Sequence, residues 1–179
     1  MPRQFLMLDL CAGLGGASQA MLDRGWKVIR VDIEPSFKPD IVADVRHWSY
    51  RGPKPLLIWA SPPCKEFSRH FLPWLKAERE PDMSVVLACK RIIEEVQPVF
   101  WVIENVRGAV PFFEPVLGKP AQVIFPYYLW GRFPPLSVDR SRFVPKQRFS
   151  SRDAAKRAWI PYELSYKLAL ACEAAVQLL

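Results

Sequence analysis

Three short stretches of the chain carry side chains that could do chemistry. Residues 9–16 read D-L-C-A-G-L-G-G, residues 62–64 read P-P-C and residues 104–106 read E-N-V. Glycines in a turn let backbone amides approach a ligand, a cysteine can act as a nucleophile, and a carboxyl group can hydrogen-bond a ring nitrogen. The sequence therefore predicts a ligand-binding turn, a candidate nucleophile and a candidate acid.

The glycine turn predicts a nucleotide-like cofactor. Asp9 opens the turn, and Asp32 and Asp44 follow at the ends of the next two predicted strands. An acid about 20 residues after such a turn can accept the hydroxyls of a ribose, and the next acid could accept the amino group of adenine. Ser18 occupies the third glycine position of a dinucleotide fingerprint, so S-adenosylmethionine, which carries cationic groups, fits better than a pyrophosphate. The alternative is a tight turn with incidental surface acids.

Cys64 follows a predicted strand and two prolines, which fix the backbone ahead of its thiol. Lys65, Arg69 and His70 are close to it in sequence and would favour a thiolate if they approach it in space. Taken alone, such a cysteine is more often a small buried hydrophobic residue. The prediction of a nucleophile therefore depends on the third motif.

Glu104 ends a later predicted strand, at the carboxyl edge where open α/β sheets bind their ligands. A carboxylic acid there could protonate or hydrogen-bond a ring nitrogen, with Asn105 bracing the loop. The alternative is a solvated acid at the end of a strand. Because Cys64 also follows a strand, the two side chains together indicate one catalytic edge.

The elements that must position these residues follow from short apolar runs. Runs at 5–10, 28–33, 41–45, 56–60 and 99–103 predict strands buried on both faces, and residues 17–24, 83–96 and 161–178 predict helices. This alternation predicts an α/β fold with a mostly parallel sheet flanked by helices. Residues 111–151 are rich in proline and aromatic side chains and predict no firm element, apart from a candidate strand at 122–125.

The composition is that of one globular domain over residues 1–179. Half of the residues are hydrophobic and 24% are charged, which excludes a disordered chain. The net charge of +7 favours phosphate-bearing partners. Four separated cysteines and two histidines match no common zinc pattern, so we expect no metal site. No apolar run reaches the roughly 20 residues of a membrane span, so we expect a cytoplasmic protein without a membrane partner.

Several cysteines and aromatic residues outside the motifs are predicted to be structural. Cys89 and Cys172 lie on apolar helix faces, and we expect both in the core. Tyr127, Tyr128 and Trp130 are also predicted to pack in the core, with stacking on a nucleobase as the alternative.

The three motifs, in this order and at these spacings, resemble those of the DNA cytosine-5 methyltransferases. The resemblance covers residues 5–107 well and implies a Rossmann-like, S-adenosylmethionine-dependent methyltransferase domain. It implies methylation of cytosine C5 in DNA, with Cys64 adding to C6 and Glu104 engaging N3, and with S-adenosylhomocysteine as the second product. The cofactor residues that it implies are Asp9, Cys11, Ala12, Gly13, Leu14, Gly15, Gly16, Asp32, Ile33, Asp44, Val45 and Pro63.

The second half of the chain departs from that family. The family's Q-x-R-x-R motif corresponds to P-K-Q-R-F-S-S-R over 145–152, where Arg148 is the expected catalytic arginine and Ser150 replaces the second one. We expect no separate target recognition domain, but a basic loop at 139–157 that tracks phosphates and a C-terminal helix at 161–178. The R-x-x-I-P pattern of Arg157, Ile160 and Pro161 resembles the family's last helix, which implies that this segment returns to the cofactor side. Specificity would then come from a partner subunit, or be low, or the substrate would be single-stranded.

Alternatives to DNA methylation remain open at this point. The enzyme could methylate C5 in RNA or in a cytidine nucleotide, or the chain could be a non-catalytic nucleic-acid-binding subunit that keeps the fold. The intact cysteine, glutamate and glycine turn favour an enzyme, since a binding module needs none of them. We expect a bacterial, archaeal or viral setting in which the protein associates with nucleic acid.

Overall fold

A seven-stranded sheet forms the centre of the computed structural model, which describes residues 4–71, 80–139, 141, 156 and 158–178, with backbone alone for 69–71. The strands lie in the order β3-β2-β1-β4-β5-β7-β6. They are β1 (Leu6–Leu10), β2 (Lys27–Asp32), β3 (Ile41–Val42), β4 (Leu57–Ala60), β5 (Phe100–Asn105), β6 (Gln122–Ile124) and β7 (Tyr127–Arg132). The first five strands are parallel, and β7 runs antiparallel to both β5 and β6.

Five helices accompany the sheet within the described residues. They are α1 (Gln19–Asp23), α2 (Lys65–Phe71), α3 (Ser84–Val96), α4 (Val110–Leu117) and α5 (Tyr162–Gln177). Short 3₁₀ turns lie at Pro35–Phe37 and Arg107–Ala109. None of the helices in the described part of the chain is long and apolar enough to cross a bilayer. The predicted α/β class with a mostly parallel, helix-flanked sheet is confirmed.

The sheet separates two hydrophobic cores. Met7 on β1 belongs to the core under α1 and α5, whereas the next residue, Leu8, belongs to the core under α2, α3 and α4. Successive strand residues point to opposite faces, so a strand covered on both faces must be apolar throughout. This is why β1, β4 and most of β5 were recognisable as apolar runs, whereas the two-residue β3 is only partly buried.

The stretch from residue 111 onward is more regular than its sequence indicates. It contains most of α4, the strand β6 at the position of the candidate strand, and β7, which was not predicted. Pro111 and Pro115 both lie in α4, the first in its opening turn and the second inside it. Proline inside a helix removes a backbone donor, so a helix there is not expected from the sequence. Tyr127 and Trp130 on β7 are buried, as predicted, and Tyr128 is half-buried.

The strand order creates a crevice between β1 and β4. From β1 the chain moves outward to β2 and β3, then returns to β4 on the other side of β1. Loops leaving the carboxyl ends of β1 and β4 therefore diverge, and open α/β sheets bind ligands at such a switch point. All three sequence motifs leave the sheet at this edge.

Candidate functional site

A cavity of about 430 Å³ opens at the switch point. Most of the predicted cofactor residues line it, namely Cys11, Ala12, Gly13, Leu14, Gly16, Asp32, Ile33, Asp44, Val45 and Pro63. Asp9 and Gly15 lie outside the lining. The sequence therefore identified most of the residues that surround this cavity, because they occupy turns directly after apolar strands.

Asp32 joins the glycine turn to the end of β2. Its Oδ2 accepts the Gly13 N–H at 2.8 Å, and its Oδ1 accepts the Glu34 N–H at 2.9 Å. Each carboxylate oxygen can accept more than one hydrogen bond, so both keep acceptor capacity toward the cavity. Ile33, the next residue, is 61% exposed within the lining. The site thus presents acceptors beside an apolar surface.

Gly16 allows the C-terminal segment to close the cavity. A Cβ built on Gly16 would lie 2.8 Å from the Ile160 carbonyl oxygen and 3.0 Å from the Trp159 ring. Only a residue without a side chain permits this approach. Trp159 and Ile160 line the cavity together with Ala158. The family resemblance implies that the segment with Ile160 returns to the cofactor side, but Ala158 and Trp159 were not assigned, because their place depends on a contact between the two ends of the chain.

Asp9 lies beneath the turn rather than in the cavity. It is fully buried, and within the described residues neither carboxylate oxygen has a hydrogen-bond partner. The nearby Ser18 hydroxyl donates to the Gly15 carbonyl at 3.3 Å. Burial raises the pKa of Asp9 to about 7, against the lowering effects of Ser18 and Arg30. At neutral pH this carboxyl group therefore holds its proton much of the time.

Asp44 is engaged by a neighbouring cation. Arg46 donates from Nε at 3.0 Å and from Nη2 at 2.6 Å to the Asp44 carboxylate. These hydrogen bonds lower the pKa of Asp44 to about 2. Both residues line the cavity. The predicted contact of Asp44 with an adenine amino group would therefore be shared with Arg46.

Asn105 ties the cysteine loop to the end of β5. Its Nδ2 donates to the Pro62 carbonyl at 2.9 Å, and its Oδ1 accepts the Val106 N–H at 2.9 Å. Asn105 is buried, so the loss of these bonds would leave polar groups unsatisfied. The sequence-based expectation that Asn105 braces the loop is confirmed. Cys64, two residues after Pro62, is thereby held at the same sheet edge as Glu104.

Glu104 lies opposite β7, the antiparallel neighbour of β5. It pairs with Leu129 of β7, which places Tyr127 diagonally across on the same face. Glu104 is half-buried and Tyr127 is buried. Burial, together with the Glu104 charge, raises the pKa of Tyr127 far above its usual range, so its hydroxyl stays neutral. The Tyr127 hydroxyl also approaches the Trp159 carbonyl at 3.5 Å.

The four cysteines differ in their surroundings. Cys89 and Cys172 are fully buried, as predicted, and burial raises the pKa of Cys172 to about 12. A hydrogen bond with Cys89, together with burial, raises the pKa of the Cys11 thiol well above its usual range. Cys64 is partly exposed and lies on the loop after β4. Thiolate chemistry is therefore disfavoured at Cys11 and Cys172, and Cys64 is the candidate nucleophile.

Several predicted features lie outside the described residues. These are Arg148, Ser150, the side chains of Arg69 and His70, and most of the basic loop at 139–157. Within the described part of the chain, no group of three or more His, Cys, Asp or Glu side chains could hold a metal ion. The described site therefore consists of the cavity, the cysteine loop and the end of β5.

Comparison with known proteins bears on this arrangement. No protein-family model matches the chain. A protein of Frog virus 3 (isolate Goorha) named "Probable DNA (cytosine-5)-methyltransferase" is 38% identical over 68 residues, which are 35% of this chain and 30% of the viral protein. The resemblance predicted from the three motifs is thereby confirmed over about a third of the chain. The matched segment spans less than a third of the viral protein's length.

Solved structures resemble the chain in fold. The Entamoeba histolytica methyltransferase EhMeth aligns with a TM-score of 0.50 at 18% identity, over 76% of this chain and 55% of that chain. The Schizosaccharomyces pombe Dnmt2 methyltransferase aligns with a TM-score of 0.44 at 21% identity, over 63% of this chain and 36% of that chain. The likeness to EhMeth supports the Rossmann-like fold that the motifs implied.

Proposed function

We propose that this protein is an S-adenosylmethionine-dependent methyltransferase that acts on C5 of cytosine in DNA. The observation that carries the proposal is the 2.9 Å hydrogen bond from Asn105 to the Pro62 carbonyl. It joins the cysteine loop to the strand that carries Glu104, at the edge of a cavity of a size suited to a nucleoside cofactor. The similarity to the viral protein supports the same assignment.

The residues around the cavity fit S-adenosylmethionine. The Asp32 carboxylate, fixed by two backbone N–H groups, would accept the ribose hydroxyls. Ile33 would cover one face of the adenine, and Asp44, shared with Arg46, would lie near its amino group. The glycine turn and Trp159 would surround the amino-acid end. When bound, the cofactor would supply an electrophilic methyl group.

The protein's own part in the chemistry would begin with Cys64. Its thiolate would form a bond to C6 of cytosine, and the electrons of the C5–C6 double bond would shift toward N3 and C5. Glu104 would hydrogen-bond N3 and the exocyclic amine and so stabilise the charge that develops on the ring. C5 thereby becomes nucleophilic.

The remaining steps restore the aromatic ring. After C5 has received its methyl group, loss of the C5 proton would return an electron pair to the ring, and the Cys64–C6 bond would break. The thiol loop and Glu104 must approach one ring from different positions, which requires the base to leave its stack. The substrate cytosine would therefore be flipped out or single-stranded.

A covalent trap tests this proposal. We expect DNA that contains 5-fluorocytosine to form a denaturation-resistant adduct with the protein when S-adenosylmethionine is present. Fluorine replaces the C5 proton and cannot leave as a cation, so the Cys64–C6 bond cannot break. The adduct should be absent without the cofactor and absent in Cys64→Ala. Denaturing gels with single-stranded and duplex DNA would show both the adduct and the preferred strand form.

A matched control separates the thiol's chemistry from general loss of a cysteine. Cys172→Ala removes a buried thiol on α5, far from the loop, and should trap DNA as well as the wild type. Calorimetry with S-adenosylhomocysteine would verify that Cys64→Ala still binds the cofactor product. If DNA gives no adduct although the cofactor product binds, DNA methylation is wrong, and the same trap with RNA and cytidine nucleotides would then test the other substrates.

A further inference from the structure

The two-residue turn between β6 and β7 displays an aromatic ring at the catalytic edge. Phe125 is 55% exposed, whereas the residues that flank the turn, Ile124 and Tyr127, are 5% and 3% exposed. Both flanking side chains are thus anchored in the core, and Pro126 limits the backbone between them. The buried neighbours therefore fix the backbone of the turn, and Phe125 lies on its exposed side.

The turn lies beside the end of β5. Asn105 pairs with Tyr128, and β7 runs antiparallel to β5, so residues before Tyr128 extend past the carboxyl end of β5. Phe125 precedes Tyr128 by three residues, which places its backbone within about 10 Å of the Tyr128 backbone at the rise of an extended chain. Glu104, the Cys64 loop and Phe125 therefore share one edge of the sheet.

The chemistry of this edge fits a nucleic-acid strand. Arg107, exposed in the 3₁₀ turn after β5, adds a cation at the same edge of the sheet, and the whole chain carries a net charge of +7. Exposed aromatic rings bind single strands by stacking on bases, while nearby cations bind the phosphates. A protein or lipid partner would explain the ring but not its place at the same sheet edge as Cys64 and Glu104, which engage one cytosine in the proposed function.

We propose that Phe125 stacks on the DNA base adjacent to the target cytosine and so positions the strand for reaction. This inference rests on the proposed function, since it uses the same target base. Phe125 would be a positioning residue that sets the affinity for the strand, and Arg107 would contact the neighbouring phosphate. Neither would take part in bond formation.

The test uses the full chain and single-stranded DNA with one cytosine flanked by 2-aminopurine, a fluorescent base that stacking quenches. Phe125→Ala should raise the Kd about tenfold and abolish the quench, while Phe125→Tyr should keep both near the wild type. Val123→Ala, which removes another exposed apolar side chain from β6, is the matched control and should change neither. In a methylation assay, Phe125→Ala should raise KM for DNA more than it lowers kcat.

Each outcome distinguishes this inference from the proposed function. If the wild type forms the 5-fluorocytosine adduct but Phe125→Ala leaves Kd, quench and KM unchanged, the stacking role is wrong and the function stands. If the wild type quenches 2-aminopurine through Phe125 yet forms no adduct, stacking stands and the chemistry is wrong. If the wild type neither binds nor reacts, both are wrong. Equal melting temperatures of the variants would exclude misfolding as the cause.

Discussion

Two halves of the carboxyl edge are held in place by different means. In the cofactor half, made of residues 11–17, 32–46 and 158–160, the turn and β2 are joined by a backbone hydrogen bond from the Ala12 N–H to the Val31 carbonyl at 3.2 Å, and by the Gly13 N–H bond to the Asp32 carboxylate. In the thiol half, made of residues 61–64, 104–107 and 125–128, one side-chain amide, that of Asn105, joins the loop to β5. Because one of its links runs between backbone groups, the cofactor half should tolerate side-chain changes better than the thiol half, which one side chain holds.

The largest expected effect concerns the buried acid beneath the cofactor half. Asp9 has a pKa of about 7 when folded and 3.8 in its ordinary state, so the folded protein binds the extra proton between these values. The free energy of unfolding should therefore fall as pH rises from about 4 to about 7 and then level off. Asp9→Asn stays neutral and should avoid this loss. At pH 8 the loss in the free energy of unfolding of the wild type is on the order of 4 kcal/mol.

Urea unfolding at pH 4.5 and pH 8 would measure this effect. The variant and the wild type should differ little at the lower pH and most at the higher pH. Asp23→Asn, at an exposed position on α1, is the control and should follow the wild type. Parallel stability curves for Asp9→Asn and the wild type would contradict the prediction.

The next largest effect is expected from Asn105→Ala, which should disrupt the thiol half alone. Asn105→Ala removes the donor to the Pro62 carbonyl and the acceptor for the Val106 N–H. A misplacement of the thiol by about 1 Å can cost about a hundredfold in rate, so we expect the rate of 5-fluorocytosine trapping to fall by about that factor. The Kd for S-adenosylhomocysteine should change less than twofold. Equal losses in trapping and cofactor binding would mean that the two halves are not separable.

A smaller effect is expected from Gly16→Ala, which disrupts the closest contact in the cofactor half. The Cβ of Gly16→Ala would meet the Ile160 backbone at 2.8–2.9 Å, so we expect a loss of about 2 kcal/mol in unfolding free energy and weaker cofactor binding. Gly25→Ala is the comparison. Its φ is +79° and its Cβ would meet no described atom within 4 Å. It should cost about 1 kcal/mol of stability and leave cofactor binding intact, as calorimetry can show.

The smallest effect sharpens the role of the C-terminal segment. Trp159→Ala removes a ring that lines the cavity, and we expect the Kd for S-adenosylhomocysteine to rise about tenfold, in line with the burial of an aromatic side chain by a ligand. Tyr162→Ala, 45% exposed on α5 and outside the lining, is the control. An unchanged Kd in Trp159→Ala would remove this segment from the cofactor half.

The same division explains what could be predicted from the sequence. The cofactor half follows strands buried on both faces, so its glycine turn and acids could be placed from apolar runs and spacing alone. The Cys64 loop and Glu104 could be placed for the same reason. The contact of Trp159 with Gly16 could not, because it joins residues 143 positions apart and leaves no local pattern.

The far side of the thiol half was the least predictable region. Strand β7 contains two tyrosines and a tryptophan, which favour strands, but Gly131 inside it and Pro126 and Pro134 on either side obscure the pattern. Helix α4 carries prolines that favour a loop reading. Strand β7, which pairs with β5 beside Glu104, carries Tyr127 and Tyr128, whereas the predicted Arg148 lies outside the described residues.

One peptide bond joins the wall of the cavity to the residue that carries the candidate nucleophile. Pro63 lines the cavity, and Cys64 is the next residue, so their Cα atoms are separated by the fixed length of a trans peptide, about 3.8 Å. The separation between this point of the cavity wall and the Cys64 backbone is therefore set by covalent geometry rather than by packing. Thermal motion of the sheet or a shift of α2 would move Pro63 and Cys64 together, so the distance between their Cα atoms would stay constant.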